Sequence, residues 1–460
     1  MTPSLEMDQL ATSNQLPNSR MAPYLDAIKT GINACQLHRE IGAVIEVTAS
    51  RIVTTLTDVF VGERCILRIP GRITNLDAQV VALDKGSAIL SPLQAIDGIS
   101  SNTQVIGTGE ACKIHVGPQL TGRVLDGLGR PMDGLPIDTE VMQRVDIVPK
   151  ATNALDFAVI DETFETGIKN IDGFNTVGHG QRMAIFGEAG AGKSTLLSML
   201  ARHSQTDVVV LAMIGERSRE VNEFLERQLP KHVRERCVVV VATSDRPAME
   251  RIMAAQVSAT IAEQYRAQGK QVLLLFDSVT RYARALREVG LSAGENAVRS
   301  GFTPSVYAEL PRLIERSGKT ASGAITAFYT VLVENNGVND PIAEEIASLT
   351  DGHLILDSEL ARSGIYPAIN VLRSKSRLMN EIADSEHNSS ANRLRRLMAK
   401  YQDMELLIQM GEYVSGTDQI ADDAVNVHQP LQEFLIQDAN IHIEVHSTIE
   451  AMKALSDDEA

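Results

Sequence analysis

A glycine-rich octapeptide near the middle of the chain most constrains how the chain can fold. Residues 187–194 read Gly-Glu-Ala-Gly-Ala-Gly-Lys-Ser and fit the pattern GxxxxGK[ST] at every fixed position. The apolar run 182–186 before it has the character of a short buried strand, and residues 195–200 after it resemble the first turns of a helix. Strand, glycine loop and helix in this order form the context in which the pattern binds phosphate. The octapeptide therefore predicts a site for a nucleoside triphosphate.

Each part of this loop has a physical role. Glycines let the backbone approach closely enough for N–H groups to face phosphate oxygens, and the helix N-terminus adds partial positive charge. Lys193 is expected to reach the β- and γ-phosphates, and the Ser194 hydroxyl is expected to bind Mg²⁺. The residues assigned to the nucleotide are Gly187, Glu188, Ala189, Gly190, Ala191, Gly192, Lys193, Ser194 and Thr195.

Composition indicates a soluble protein of several domains. The chain is 44% apolar and 22% charged, which is ordinary for globular proteins. Its 460 residues are too many for one compact core. No apolar run approaches the length of a membrane span, and residues 1–20 contain no signal-peptide core. Four cysteines lie far apart without a CxxC pair, which argues against disulfides and zinc: Cys35, Cys65, Cys112 and Cys237. We therefore expect a cytoplasmic protein.

Residues 1–113 precede the phosphate loop and are predicted to form two units. A polar tail followed by a short helix is expected over 1–38. Residues 39–113 contain short β-rich runs separated by glycine, asparagine or aspartate, which indicate a small barrel or sandwich. These runs are 43–47, 52–57, 64–69, 78–83 and 88–90.

Residues 114–383 are predicted to form an α/β domain, and residues 384–460 an α-helical one. Apolar strands alternate with helices in the first, which implies a parallel sheet covered on both faces. The strands are expected at 208–214, 237–242, 272–276 and 324–333, with helices at 219–228 and 248–267. In the second, one apolar stripe has helical spacing and is expected to pack on the α/β core. It comprises Leu394, Leu397, Met398, Tyr401, Met404, Leu407 and Ile408, and a less regular acidic region is expected beyond it.

Two carboxylates follow predicted strands where a hydrolytic site would need them. Asp277 ends an apolar strand about 80 residues after the loop and is assigned to the magnesium shell. Glu216 follows the strand 208–214, at the sheet edge where α/β proteins bind ligands. It either orients the attacking water, with Arg217 nearby for phosphate charge, or starts the next helix, where the macrodipole favours acids. Spacing alone leaves both interpretations open.

These motifs together resemble a known family. The run 215–220 (Gly-Glu-Arg-Ser-Arg-Glu), the phosphate loop and the strand ending at Asp277 are similar to the ATPase family that contains the rotary ATP synthase α and β subunits. Further segments narrow the likeness to the type III secretion ATPases, which include the flagellar export ATPase. These segments are 122–131, 243–247, 277–283, 304–307, 310–316, 329–334 and 351–353. The resemblance extends from about residue 40 to about residue 440.

The resemblance implies a fold, an activity and partners. The implied fold is α/β, a RecA-like parallel-sheet ATPase core with a small N-terminal β-barrel and a C-terminal α-helical domain. The implied activity is Mg²⁺-dependent ATP hydrolysis, with Glu216 as the catalytic carboxylate. Arg377, in Ser374-Lys375-Ser376-Arg377, would be an arginine finger that completes the site of a neighbouring subunit in a homohexamer. Implied partners are regulatory or stator and central-stalk proteins, chaperone–cargo complexes and a membrane-embedded export gate at the cytoplasmic face of the inner membrane.

The sequence disfavours three other functions, and one loop departs from the family pattern. A rotary synthase subunit would carry the acidic Asp-Glu-Leu-Ser-Glu-Glu-Asp loop, which the C-terminal region lacks. An RNA-translocating hexamer is disfavoured by the net charge of −16 and the 4% aromatic content. A regulatory subunit that does not hydrolyse nucleotide is disfavoured because Glu216 and Asp277 are both present. Residues 335–341 lack two carboxylates that the family usually has. Within the family, an injectisome is favoured over a flagellum by two segments, residues 193–197 and 405–413.

Overall fold

The computed structural model describes residues 40–147, 153–333 and 340–457. The predictions for residues 1–38, and the unusual loop at 335–339, lie outside the described residues. The described part contains a β-barrel, a central α/β core and a group of C-terminal helices, so the predicted fold class is confirmed. Among the described residues, no helix is both long and apolar enough to cross a membrane.

The N-terminal strands close into a barrel rather than a sandwich. The six antiparallel strands are hydrogen-bonded in the order β1-β2-β5-β4-β3-β6. They are β1 Ile41–Thr48, β2 Arg51–Thr54, β3 Glu63–Arg68, β4 Leu76–Asp84, β5 Ser87–Pro92 and β6 Gln104–Ala111. Alternating side chains such as Cys65 and Leu67 fill the interior. The sequence patterns did not predict β6, because Gly107 and Gly109 interrupt its apolar run.

A mainly parallel sheet forms the centre of the molecule. Its strands are ordered β19-β18-β12-β17-β15-β13-β14-β8, with β16 paired to β17. They are β8 Val124–Asp126, β12 Arg182–Gly187, β13 Val208–Ile214, β14 Cys237–Ala242, β15 Gln271–Asp277, β16 Gly318–Lys319, β17 Ala324–Leu332, β18 Gly352–Leu356 and β19 Lys375–Ser376. Every residue of β13 and β14 is buried, as expected for strands covered on both faces. Two small ribbons flank the sheet: β7 Lys113–Val116 with β9 Gln143–Asp146, and β10 Thr163–Phe164 with β11 Val177–Gly178.

Helices cover both faces of this sheet. They are α1 Lys169–Asp172, α2 Lys193–His203, α3 Ser218–Glu223, α4 Lys231–Arg234, α5 Ala248–Ala267, α6 Val279–Ser292, α7 Pro304–Ile314, α8 Pro341–Leu349, α9 Ser358–Arg362 and α10 Met379–Ile382. The predicted helix 248–267 is α5, with the same bounds. The predicted helix 219–228 is α3 followed by a π-helical turn, Phe224–Gln228.

Three long helices form the C-terminal region: α11 Ser385–Gln409, α12 Gln419–Leu435 and α13 Val445–Asp457. The prediction of a less regular region after the first helix was wrong, because α12 and α13 are each unbroken helices and Asp418 caps the N-terminus of α12. The stripe does pack on the α/β core, where Leu394 and Leu397 share a cluster with Phe174. Leu407, assigned to the stripe, is instead 45% exposed.

The described cysteines agree with the expectation of no disulfide. Cys65, Cys112 and Cys237 are buried and unpaired, and burial raises the pKa of the Cys237 thiol to about 12. Cys35 lies outside the described residues. Each of the three behaves as a small core residue.

Candidate active site

The site lies where parallel strands of the central sheet end. β12 ends at Gly187, β13 at Ile214 and β15 at Asp277. Since β12, β17, β15 and β13 are adjacent and parallel, their carboxyl ends lie along one edge. Open α/β sheets bind their ligands at this edge.

The glycine loop has the predicted strand–loop–helix geometry. It leaves β12 at Gly187 and enters α2 at Lys193. Gly192 has φ +91°, in the left-handed region that favours glycine. The Lys193 Nζ donates to the carbonyl oxygens of Gly187, at 2.8 Å, and Glu188, at 2.6 Å. These bonds hold the ammonium across the loop, at the start of a helix.

Acidic groups surround the Lys193 ammonium. Burial lowers the pKa of Lys193, while the carboxylates of Asp277 and Glu216 act in the opposite direction. The loop lysine, Asp277 at the end of β15, and Glu216 just beyond β13 therefore come within electrostatic reach of one another. Sequence patterns placed these three groups at one edge, and the structure brings them together.

Asp277 is a buried carboxylate with one hydrogen-bond donor. The Thr330 Oγ1 donates to its Oδ1 at 2.6 Å. Burial raises the pKa of Asp277, opposed by this hydrogen bond and by Lys193. A nearby cation would favour the charged form, so the donor set fits Mg²⁺. No group of three or more metal-binding acids, histidines or cysteines occurs among the described residues.

Glu216 is held at the same edge by a charged partner. The Arg281 Nε donates to Glu216 Oε1 at 2.8 Å, and its terminal nitrogen to Oε2 at 3.2 Å. Burial and the Asp277 charge raise the pKa of Glu216 to about 7, and Arg281 opposes them. The next helix begins at Ser218, with Arg217 as its N-cap. Glu216 therefore precedes the helix rather than starting it.

Sequence reasoning missed Arg281. It lies in the first turn of α6, four residues after Asp277, so one helical turn brings it back to the strand end. Gly215 makes room for it: its φ is +72°, and a Cβ there would lie 2.9 Å from Arg281 Cβ. The spacing Asp-x-x-x-Arg after a buried strand was the available signal.

Arg217 does not lie where the sequence analysis placed it within this chain. Its side chain is 77% exposed and pairs with Glu220 at 3.1 Å. The positive charge beside Glu216 belongs to Arg281. A role for Arg217 in phosphate binding stays a prediction.

Arg377 lies near the amino ends of the parallel strands, whereas its own phosphate loop lies at their carboxyl ends. Its N–H donates to the carbonyl of Asp351 at 2.9 Å, beside Arg182 at the start of β12. The loop begins at the other end of this six-residue strand, roughly 17 Å away at 3.3 Å per residue. The exposed guanidinium donates to the carbonyl of Ala347. Arg377 therefore takes no part in its own chain's site.

Tyr366 is a second residue that sequence reasoning missed. Its ring carbon Cε1 is 3.8 Å from where a Cβ on Gly192 would stand, and the ring is partly exposed. An aromatic face beside a phosphate loop can stack on a base. No local pattern marks Tyr366, because it lies in a connection far along the chain.

Comparison with known proteins identifies the family. The nucleotide-binding domain model of the ATP synthase alpha/beta family matches residues 167–376, and the model of the T3SS EscN ATPase C-terminal domain matches residues 383–454. The type 3 secretion system ATPase of Xanthomonas euvesicatoria is 47% identical over 423 residues, 91% of this chain and 95% of that protein. The chain belongs to the type III secretion system ATPases.

Solved structures of this family agree with the fold. Assembled EscN from enteropathogenic E. coli matches with a TM-score of 0.86 at 42% identity, covering 90% of this chain and 100% of that one. EscN in complex with its central stalk EscO matches with a TM-score of 0.83 at 41% identity, with the same coverage. As a type III secretion ATPase, the chain is an ATP-hydrolysing enzyme of a protein-secretion apparatus.

Proposed function

We propose that this ATPase hydrolyses ATP with Mg²⁺ at the sheet edge that carries Lys193, Glu216 and Asp277. The observation that carries the proposal is the buried Glu216 carboxylate, fixed by Arg281 beside the loop lysine. A carboxylate with a pKa near neutrality is suited to accept a proton.

Each residue has a separate task in this reaction. Backbone N–H groups of the loop and the Lys193 ammonium bind the β- and γ-phosphates. Glu216 orients the attacking water and accepts its proton, and Arg281 keeps the carboxylate in place. Asp277 and Ser194 would hold Mg²⁺, which neutralises phosphate charge when bound. Tyr366 contacts the base.

The pH dependence of kcat/KM tests the role of Glu216. Since the ionised form is active and its pKa is about 7, kcat/KM should fall about tenfold for each pH unit below 7 and level off above it. Arg281→Gln should move the falling, low-pH limb of this profile to higher pH, because Arg281 holds the pKa of Glu216 down. Arg281→Lys, which keeps the charge, should leave the limb nearly in place. A flat profile between about pH 5.5 and 8.5 would contradict the assignment.

The active form is proposed to be a homohexameric ring. Arg377 is separated from its own loop by the length of β12, which supports a role in completing a neighbour's site. EscN, which is similar to this chain, has been solved as an assembled ATPase and with its central stalk EscO. We therefore propose a central-stalk partner, regulatory or stator proteins, and peripheral attachment to an export gate at the cytoplasmic face of the inner membrane. The relatives named above favour an injectisome.

Chaperone–cargo complexes are proposed to dock at the turn between α11 and α12. This turn exposes an apolar surface, named here the tip patch: Leu406, Leu407, Met410 and Val414. It is remote in sequence from every residue assigned to catalysis. Exposed apolar clusters commonly mark protein-binding sites.

We expect Met410→Asp to weaken capture of a cognate chaperone at least tenfold, because the charge would have to be desolvated on docking. ATP turnover should stay within about twofold, since Met410 is an exposed surface residue with no assigned role in catalysis. Pull-down and an ATPase assay on the same samples measure both. Ile73→Asp, at a fully exposed barrel residue, is the matched control. Equal capture by Met410→Asp and the control would place docking elsewhere.

Deletion of residues 414–460 is a less specific test of chaperone docking than Met410→Asp. It would remove α12 and α13, whose Leu431 and Met452 share a buried cluster with Phe174 of the core. The truncated protein would expose apolar core surface. Lost capture could then reflect unfolding.

A further inference from the structure

The connection between α12 and α13 lies against the α/β core and is centred on Gln437. Here residues 436–444 are named the linking segment. Gln437 is buried. Its Oε1 accepts from Lys169 N at 2.9 Å, and its Nε2 donates to the carbonyls of Gly167 and Ile441, each at 2.7 Å. Both donors of the amide and its oxygen are therefore used.

Gln437 also holds the Tyr366 peptide. Its backbone N–H donates to the carbonyl of Tyr366 at 2.8 Å. The next carbonyl, of Pro367, accepts from Asn170 Nδ2 at 3.3 Å. Asn170 lies in α1, whose first N–H, that of Lys169, is bound by the Gln437 side chain. The Tyr366 peptide is thus fixed from two sides: by the backbone N–H of Gln437, and through α1, whose first N–H the Gln437 side chain binds.

The same linking segment binds the far end of the helix that follows the phosphate loop. His203 Nε2 lies 2.9 Å from the carbonyl of Ala439, and Arg202 contacts Ala439 and Asn440. These are the last residues of α2, and its first residue is Lys193. Nine residues between the C-terminal helices therefore contact both the loop helix and the Tyr366 peptide.

We propose that Gln437 is a positioning residue that sets Tyr366 against the phosphate loop, so that nucleotide affinity depends on how the C-terminal helices sit on the core. The proposal rests on the proposed base contact of Tyr366. Removing the fully bonded Gln437 amide leaves its buried backbone partners unpaired, which favours separation of the segments that it joins. Since coupling between binding equilibria is reciprocal, nucleotide should in turn hold the C-terminal helices on the core.

The test compares two substitutions that each remove buried hydrogen bonds between the C-terminal region and the core. Gln437→Met retains side-chain length and the backbone bond to Tyr366. It loses the side-chain bonds to Gly167, Ile441 and Lys169. His387→Leu loses the contact between Nε2 and the carbonyl of Gly173, 2.7 Å apart, at the C-terminal end of α1, whereas Gln437 binds the first N–H of that helix. Both should lower Tm. Only Gln437→Met should raise the Kd for Mg·ADP, measured by calorimetry, about tenfold, with KM for ATP rising more than kcat falls.

A double-mutant cycle separates positioning from general destabilisation. If Gln437 acts through Tyr366, then Gln437→Met should change the Kd for Mg·ADP by less than about twofold in a Tyr366→Ala background. Additive effects, or a normal Kd in a folded Gln437→Met ring, would overturn the proposal while leaving the base contact intact. A normal Kd in Tyr366→Ala would overturn both. Gln437→Glu, which sets a carboxylate against the carbonyls of Gly167 and Ile441, repeats the test if Gln437→Met fails to fold.

Discussion

Glu216→Gln is expected to lower ATP turnover by about 10²–10⁴-fold, the usual contribution of a positioned general base. The amide cannot accept the proton of the attacking water. It can still accept one hydrogen bond from Arg281, so the loop should keep its shape. The Kd for Mg·ADP should therefore stay within about threefold of the parent value. Steady-state turnover and equilibrium binding on the same preparation measure both quantities.

Lys193→Ala should differ in kind from Glu216→Gln. It removes the ammonium that reaches the phosphates, so nucleotide binding should weaken together with turnover. Glu223→Gln is the matched control for Glu216→Gln: the same chemical change on a surface carboxylate that pairs with Arg227. It should leave turnover within about twofold. Near-normal turnover in Glu216→Gln would show that another group activates the water.

The second large effect concerns Arg377. Arg377→Ala rings should lose about 10³-fold or more in turnover, as expected for a missing arginine finger, although each chain still has an intact loop. Mixing them with Lys193→Ala chains should restore part of the activity. At equal mixing, roughly a quarter of the interfaces then pair an intact loop with an intact finger, because a head-to-tail ring joins different faces. Specific activity of the parent should also rise steeply with concentration.

The mixing experiment needs two checks. Lys375→Ala removes a neighbouring exposed charge and should leave ring activity nearly unchanged, which separates the finger from the general charge of this segment. Co-assembly of the two inactive variants must be verified by light scattering or native mass spectrometry. An inactive mixture with proven co-assembly would exclude a finger acting between subunits.

Sequence patterns predicted the core strands well because β13 and β14 are apolar at every position. Such runs have few alternatives to a central parallel strand. β6 escaped prediction because its pairing with β1 and β3, rather than its own composition, makes it a strand. The regularity of α12 was missed because its acidic residues suggested an irregular segment.

The site residues likewise divide into those that local sequence predicts and those that only the tertiary fold brings together. Asp277 ends an apolar strand, Glu216 lies two residues after one, and Lys193 closes the loop that follows another. Chain order alone therefore places all three at the carboxyl ends of the strands. Arg281 and Tyr366 reach that edge through a helix turn and a distant connection, which only the tertiary fold determines. Arg217 was assigned by proximity in sequence, but the start of α3 turns its side chain to solvent.

The opposite placement of loop and finger on one sheet has a consequence for the cell. On the proposed arrangement, a newly made subunit carries half of each of two reaction centres and a whole one of neither. It can therefore circulate with nucleotide bound without draining the ATP pool. Hydrolysis begins only where subunits assemble into a ring, so assembly at the secretion apparatus controls when and where ATP is hydrolysed.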